Sequence, residues 1–190
     1  MTHPFQTVGI VGTGAMGRGI AQICAQAGSL VLLHDSQAQA CQQAIDSLQA
    51  QWNKLAEKGR LTPAQVQDYV ARLRPAPNLS DLAACDLIIE AIVEKLEVKQ
   101  SVFQQLESLV RPETVLATNT SSLSVTAIAS ALKSPQRFAG YHYFNPVPLM
   151  KVVEVIAGLR TDPKVCEQLD AHARATGHTP VHAQDTPGFI

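Results

Sequence analysis

Short apolar runs alternate with longer polar stretches along the whole chain. The runs at 6–11, 30–34, 86–91, 115–118, 137–142 and 152–156 are bounded by polar or turn residues and read as strands. Between them, 15–28, 37–58, 98–110 and 124–132 read as helices. Thr62-Pro63-Ala64-Gln65 is a helix start, with Thr as N-cap, Pro in the first turn and Gln placed to complete a capping box. Asp162-Pro163 opens another helix at roughly 163–176. This alternation predicts a doubly wound α/β fold of Rossmann type, a mostly parallel sheet with helices on both faces. Ligands of such folds bind beyond the carboxyl ends of the strands. No internal repeat, low-complexity tract or flexible linker interrupts the pattern.

One connection departs from it. Only residues 143–151 join the strand ending at His142 to the strand carrying Glu154. A parallel crossover needs about a dozen residues or more, usually including a helix. Asn145-Pro146-Val147-Pro148 disfavours a helix as well. The last predicted strand is therefore an antiparallel addition, and it brings Glu154 back beneath His142. Glu154 is also the one carboxylate in its apolar run. An unpaired buried carboxylate is costly, so it calls for a partner.

Composition narrows the setting. The chain has 190 residues, of which 46% are hydrophobic, enough for one domain with a sizeable core. Net charge is −1 and no Lys/Arg stripe exists, which argues against nucleic acid as partner. Cys24, Cys41, Cys85 and Cys166 are scattered without metal-ligand spacing and read as reduced core thiols. The amino terminus does not resemble a signal peptide, and no apolar run is long enough to span a membrane. A cytoplasmic protein without a metal is expected.

Gly12-Thr13-Gly14-Ala15-Met16-Gly17 is a G-x-G-x-x-G that follows a strand and opens a helix. Gly12 permits the tight turn, Gly14 admits a pyrophosphate to the backbone, and Gly17 lets the helix pack closely. Asp35 ends the next strand, eighteen residues after Gly17. A carboxylate there accepts hydrogen bonds from ribose hydroxyls and repels a 2′-phosphate, which predicts NAD rather than NADP. Asn119-Thr120-Ser121-Ser122 follows another strand at the same edge, and Ser124 suits an N-cap. By charge alone, Glu94 and Lys99 read as solvated helix residues, and Lys58 as a cation favouring a helix C-terminus. His142, paired with Glu154 and near Asn145, reads as a proton acceptor: a carboxylate fixes the imidazole tautomer and stabilises the imidazolium. With bound NAD, that describes alcohol oxidation.

Together these residues resemble the 3-hydroxyacyl-CoA dehydrogenase family. The likeness covers nearly the whole chain, through GTGAMG, IIEAIVEKLEVK, ATNTSSL, the H-x-F-N-P-V-P stretch and the final DTPGFI. The resemblance implies NAD-dependent oxidation of (S)-3-hydroxyacyl-CoA to 3-ketoacyl-CoA, with His142 as acid/base and Glu154 orienting it. It implies that Ser121 contacts the substrate oxygen and the nicotinamide region, and that Asn145 lies at the same site. Glu94 and Lys99 match cofactor-contacting positions, and Lys58 a lysine that meets CoA. Tyr143 stands where the family has Phe, a change expected to tune the acyl pocket. Residues 1–185 are expected to be the NAD-binding domain, and 186–190 the start of a connection to a helical domain absent from this chain. In the family that domain makes a homodimer and closes the acyl cleft, so the chain by itself is expected to turn over poorly. The acyl group stays open between 3-hydroxybutyryl-CoA, of fatty acid metabolism, and 3-hydroxyadipyl-CoA, of phenylacetate catabolism. A β-hydroxyacid dehydrogenase, or a non-catalytic NAD-binding protein like the lens crystallins derived from this family, are the alternatives.

Overall fold

The computed structural model describes residues 4–37 and 39–189. Position 38, inside the second predicted helix, and Ile190, the end of the expected connection, lie outside the described residues. In chain order the elements are β1 (Thr7–Val11), α1 (Ala15–Ala27), β2 (Leu30–His34), α2 (Ala40–Glu57), α3 (Pro63–Ala71), β3 (Leu73–Pro75) and β4 (Leu87–Glu90). They continue with α4 (Leu96–Leu109), β5 (Val115–Thr118), α5 (Val125–Ala129), β6 (Phe138–Tyr143), β7 (Val152–Ala157), α6 (Pro163–Ala175) and β8 (Thr179–Ala183).

All eight strands form one sheet in the order β3-β2-β1-β4-β5-β6-β7-β8. The first six are parallel, in the order of a dinucleotide-binding fold. β7 pairs antiparallel with β6, and β8 runs parallel to β7. The predicted antiparallel addition is therefore present and carries one strand more than expected.

Burial follows from the sequence pattern. All four residues of β4 and of β5 are buried, as expected for strands covered on both faces. Alternate side chains feed opposite layers. Leu87 and Ile89 of β4 pack with Ile20 of α1 and Leu48 of α2, while Ile88 packs with Phe103 of α4 and Ile128 of α5. The Thr62 start signal behaves as predicted: its hydroxyl accepts from the Gln65 N–H at 3.2 Å, and the Gln65 side chain accepts from the Thr62 N–H at 2.9 Å. β3 and β8 were not anticipated. Their sequences, LRP and TPVHA, hold no apolar run, and pairing with β2 and β7 recruits them at the two edges.

Candidate active site

The turn after β1 is dictated by backbone proximity. Gly12 has φ +94°, and a Cβ there would lie 2.6 Å from the Ala91 carbonyl oxygen at the end of β4. A Cβ on Gly17 would lie 1.8 Å from the Gly12 carbonyl oxygen. Gly14 is different. Its φ of −63° suits any residue, and beyond its two chain neighbours no protein atom lies within 4 Å of where its Cβ would be. The fold itself makes no demand for glycine at 14. A ligand approaching the backbone would. Just beyond, α1 starts without a side-chain cap hydrogen bond and without an acidic residue in its first turn. Its N–H groups and the positive end of its dipole thus face open space, which fits a dinucleotide pyrophosphate.

Asp35, just past β2, braces this turn. Its Oδ2 accepts from the Thr13 N–H at 2.8 Å and hydroxyl at 2.9 Å, and its Oδ1 from the Gln37 N–H at 3.0 Å. Partial burial pushes the carboxyl pKa up, but the hydrogen bonds from Gln37 and Thr13, with His34 nearby, outweigh it and hold the group below its ordinary range. Gly12, Thr13, Gly14 and Asp35 line one recess of about 470 Å³. Ala15 is exposed at the start of α1. Met16 lines a second cleft of about 310 Å³ with Glu94, Lys99, Ser121, His142 and Asn145. Both recesses take in Ala91 and Ile92, just past the carboxyl end of β4, and so straddle the point between β1 and β4 where the strand order reverses.

His142 and Glu154 are directly paired residues of β6 and β7. The imidazole Nδ1 lies 2.5 Å from Glu154 Oε2, and the two side chains are 15% and 3% exposed. With Nδ1 committed to the carboxylate, Nε2 is the nitrogen available to a ligand in the cleft.

Lys99 corrects the charge-only reading. It is not solvated but 1% exposed, with Nζ 2.6 Å from Glu90 Oε1 and 3.1 Å from Glu94 Oε2. Glu90, fully buried, also accepts from the Ile92 N–H and the Thr118 hydroxyl, each at 2.7 Å. Glu94 in turn accepts from the Thr120 hydroxyl and, at 3.0 Å, from the Ser121 N–H. Burial raises the Glu94 pKa, yet Thr120 and Lys99 bring it below the ordinary value. The ion-pair cluster therefore fixes the loop that presents Ser121. Sequence reasoning missed Glu90, although it carries the signal that exposed Glu154: a lone carboxylate in an apolar run, here L-I-I-E. Asn119 was also missed as a brace, its Oδ1 accepting from the Tyr143 N–H at 2.9 Å.

Tyr143 belongs to the lining of the second cleft, and its ring, 1% exposed, packs against Tyr141 at 4.9 Å and His178 at 5.3 Å. Lys58 is the exposed C-cap residue of α2, outside both recesses. Among the described residues no group of acidic, His and Cys side chains could hold a metal.

Known proteins match this arrangement closely. The family model described as 3-hydroxyacyl-CoA dehydrogenase, NAD binding domain, covers residues 7–186. The chain is 48% identical over 185 residues to 3-hydroxyadipyl-CoA dehydrogenase of Escherichia coli, spanning 97% of this chain and 39% of that protein. It is 42% identical to a probable 3-hydroxybutyryl-CoA dehydrogenase of Deinococcus radiodurans, spanning 96% of this chain and 65% of that one. A crystal structure of 3-hydroxybutyryl-CoA dehydrogenase from E. coli superposes with a TM-score of 0.96 at 47% identity, over 98% of this chain and 39% of the other. The chain thus spans less than two thirds of the length of each of these relatives, and what it shares with them is the part that carries both recesses: it belongs to the family of NAD-binding domains of 3-hydroxyacyl-CoA dehydrogenases, with NAD as its cofactor.

Proposed function

We propose that the protein takes part in NAD-dependent oxidation of an (S)-3-hydroxyacyl-CoA to the 3-ketoacyl-CoA. The observation that carries this reading is the His142–Glu154 pair, 2.5 Å apart and bordering the cleft next to the dinucleotide turn. NAD, when bound, supplies the hydride acceptor. His142 Nε2 takes the proton of the substrate hydroxyl, and Glu154 stabilises the imidazolium that results. Ser121, held by Glu94, and Asn145, on the loop between β6 and β7, position the reacting oxygen and the nicotinamide. Glu94 and Lys99 border the cofactor on the same side as Ser121. The role of Lys58 toward CoA rests on the resemblance alone.

In this reading residues 1–185 act as the cofactor domain, and 186–190 begin a connection to a helical domain through which the protein dimerises. Names of relatives support acyl-CoA substrates with either a short chain or a terminal carboxylate. No helix among the described residues is long and apolar enough to cross a membrane, and the four cysteines are buried and free. A reducing, cytoplasmic setting fits both. The test is His142→Gln, assayed by 3-ketoacyl-CoA reduction and by NADH fluorescence titration. Turnover should fall by about two to four orders of magnitude with NADH affinity unchanged. Near-normal turnover would make His142 a structural residue and overturn the assignment.

A further inference from the structure

The last described residues fold back to the active-site edge, and two of their side chains act there in different ways. Asp185 grips the start of α5. Its Oδ1 accepts from the Val125 N–H at 2.7 Å, and its Oδ2 from the Thr126 N–H at 2.8 Å and the Ser124 hydroxyl at 3.0 Å. Ser124 itself accepts from the Ala127 N–H at 3.1 Å, so helix cap and distant carboxylate are tied together. This anchorage lies three residues beyond Ser121 in the chain.

A turn follows, closed by the Phe189 N–H donating to the Thr186 carbonyl at 3.0 Å. Gly188 has φ +82° and Phe189 has φ +52°. Left-handed backbone is natural for glycine but unfavourable for a bulky aromatic residue, and such outliers gather at functional sites. Here the conformation puts the Phe189 ring, 7% exposed, beside the imidazole of His142, with centroids 5.9 Å apart. Phe144 supplies a second ring at 4.7 Å. The imidazole is thus bonded to Glu154 and flanked by two aromatic rings.

We propose that residues 185–189 are a positioning latch: Asp185 moors the segment to α5, and Phe189 packs on His142 to hold Nδ1 on Glu154 and Nε2 toward the cleft. The latch is a device for the reaction proposed above and rests on that reading for its purpose, though not for its geometry. Asp185 and Phe189 are positioning residues, since both act through His142. The arrangement also links two parts of the site. The Ser121 loop leads into α5, α5 holds Asp185, and four residues later Phe189 reaches the acid/base.

The test is NMR of the 190-residue chain labelled at histidine, with Phe189→Ala, Asp185→Ala and Asp185→Asn. In the unaltered chain the His142 ring protons should carry the ring-current shift of Phe189, and the proton shared with Glu154 should be protected from water. Phe189→Ala removes the shift and speeds exchange of the shared proton. Asp185→Ala should do the same although Asp185 does not touch His142, and Asp185→Asn, which keeps one acceptor, should fall between. NADH affinity of the chain should stay within about twofold, while in the protein joined to its helical domain kcat for 3-ketoacyl-CoA reduction falls by about ten- to a hundredfold at nearly constant KM. Unchanged His142 resonances in either Asp185 variant, with the fold intact by circular dichroism, would overturn the latch. So would a lost shift with kcat unaltered. Should Asp185→Ala not fold, Asp185→Asn decides the same comparison. If the resonances respond as expected but the protein joined to its helical domain reduces no 3-ketoacyl-CoA, the proposed reaction fails and the latch remains.

Discussion

Replacing Lys99 by Met should cost more stability than replacing Glu90 by Gln, although each change breaks the same buried ion pair. The reason is the count of charges. Lys99 sits between two carboxylates, at 2.6 Å from Glu90 and 3.1 Å from Glu94. At an effective dielectric of about 20, those distances correspond to attractions of roughly 6 and 5 kcal/mol. Desolvation of the buried groups offsets most of the first, and solvent screening at Glu94, 37% exposed, reduces the second. Lys99→Met leaves Glu90 fully buried, charged and facing a second carboxylate, the situation in which losing one partner costs about 3–5 kcal/mol. Glu90→Gln leaves Lys99 with Glu94 and keeps an oxygen to accept from the Ile92 N–H, so about 1–3 kcal/mol is expected. For a chain of this length the Lys99 loss corresponds to a fall in Tm on the order of 10 °C. Urea unfolding followed by circular dichroism, at unchanged m, reads both values. The double variant Lys99→Met, Glu90→Gln should recover part of the Lys99 loss, a non-additivity expected of side chains in contact. A Glu90→Gln penalty equal to or above that of Lys99→Met, or strict additivity, would show that charge balance does not govern this cluster.

Other consequences are as direct. Gly14→Ala should leave stability within about 1 kcal/mol, because its Cβ meets no protein atom, yet lower NADH affinity at least about tenfold. Gly17→Ala, whose Cβ would collide with the Gly12 carbonyl, should instead destabilise the fold by at least about 3 kcal/mol; equal effects of the two would refute the distinction. Asp35→Asn should narrow the preference for NADH over NADPH at least about tenfold in paired fluorescence titrations, and tighter NADPH binding by the unaltered chain would refute the role of Asp35. Asp35, Glu94 and Asp185 all have folded-state pKa values below their ordinary ones. The unfolded chain therefore binds more protons in that range, and their contribution is complete above the ordinary carboxyl pKa and lost as pH falls through the lowered values. Urea midpoints that stay constant as pH is lowered through the carboxyl range would contradict this.

The part of the fold visible in the sequence is the part that is buried on both sides. β1, β4 and β5 are continuous apolar runs because helices cover both their faces, and the helices between them follow from alternation alone. β3 and β8 are edge strands held by a single neighbour, so their residues carry no comparable signal. The His142–Glu154 register was legible because a short, proline-rich connection leaves the chain only one way to turn. Lys99 was not legible from charge, since its burial depends on Glu90, nine residues earlier on another element. Asp185 was less legible still. Its partners Ser124 to Thr126 lie about sixty residues away in sequence, and nothing local distinguishes an anchoring Asp from a turn Asp.

The carboxylates also bear on a question of charge. NAD is an anion, yet Asp35, Glu90, Glu94 and Glu154 all gather around the recesses that would receive it. Each is matched where it stands: Asp35 by two backbone N–H groups and a hydroxyl, Glu90 and Glu94 by Lys99 and threonine hydroxyls, Glu154 by the imidazole. None of them stands in the first turn of α1, which has no acidic residue and no side-chain cap. The local field at the phosphate turn is therefore set by uncompensated N–H groups and the helix dipole. Negative charge stands instead where it is matched, behind the Thr13 turn, under Ser121 and behind His142. That division leaves the turn free for an anionic dinucleotide, and the Asp35 carboxylate would repel an extra phosphate at the ribose.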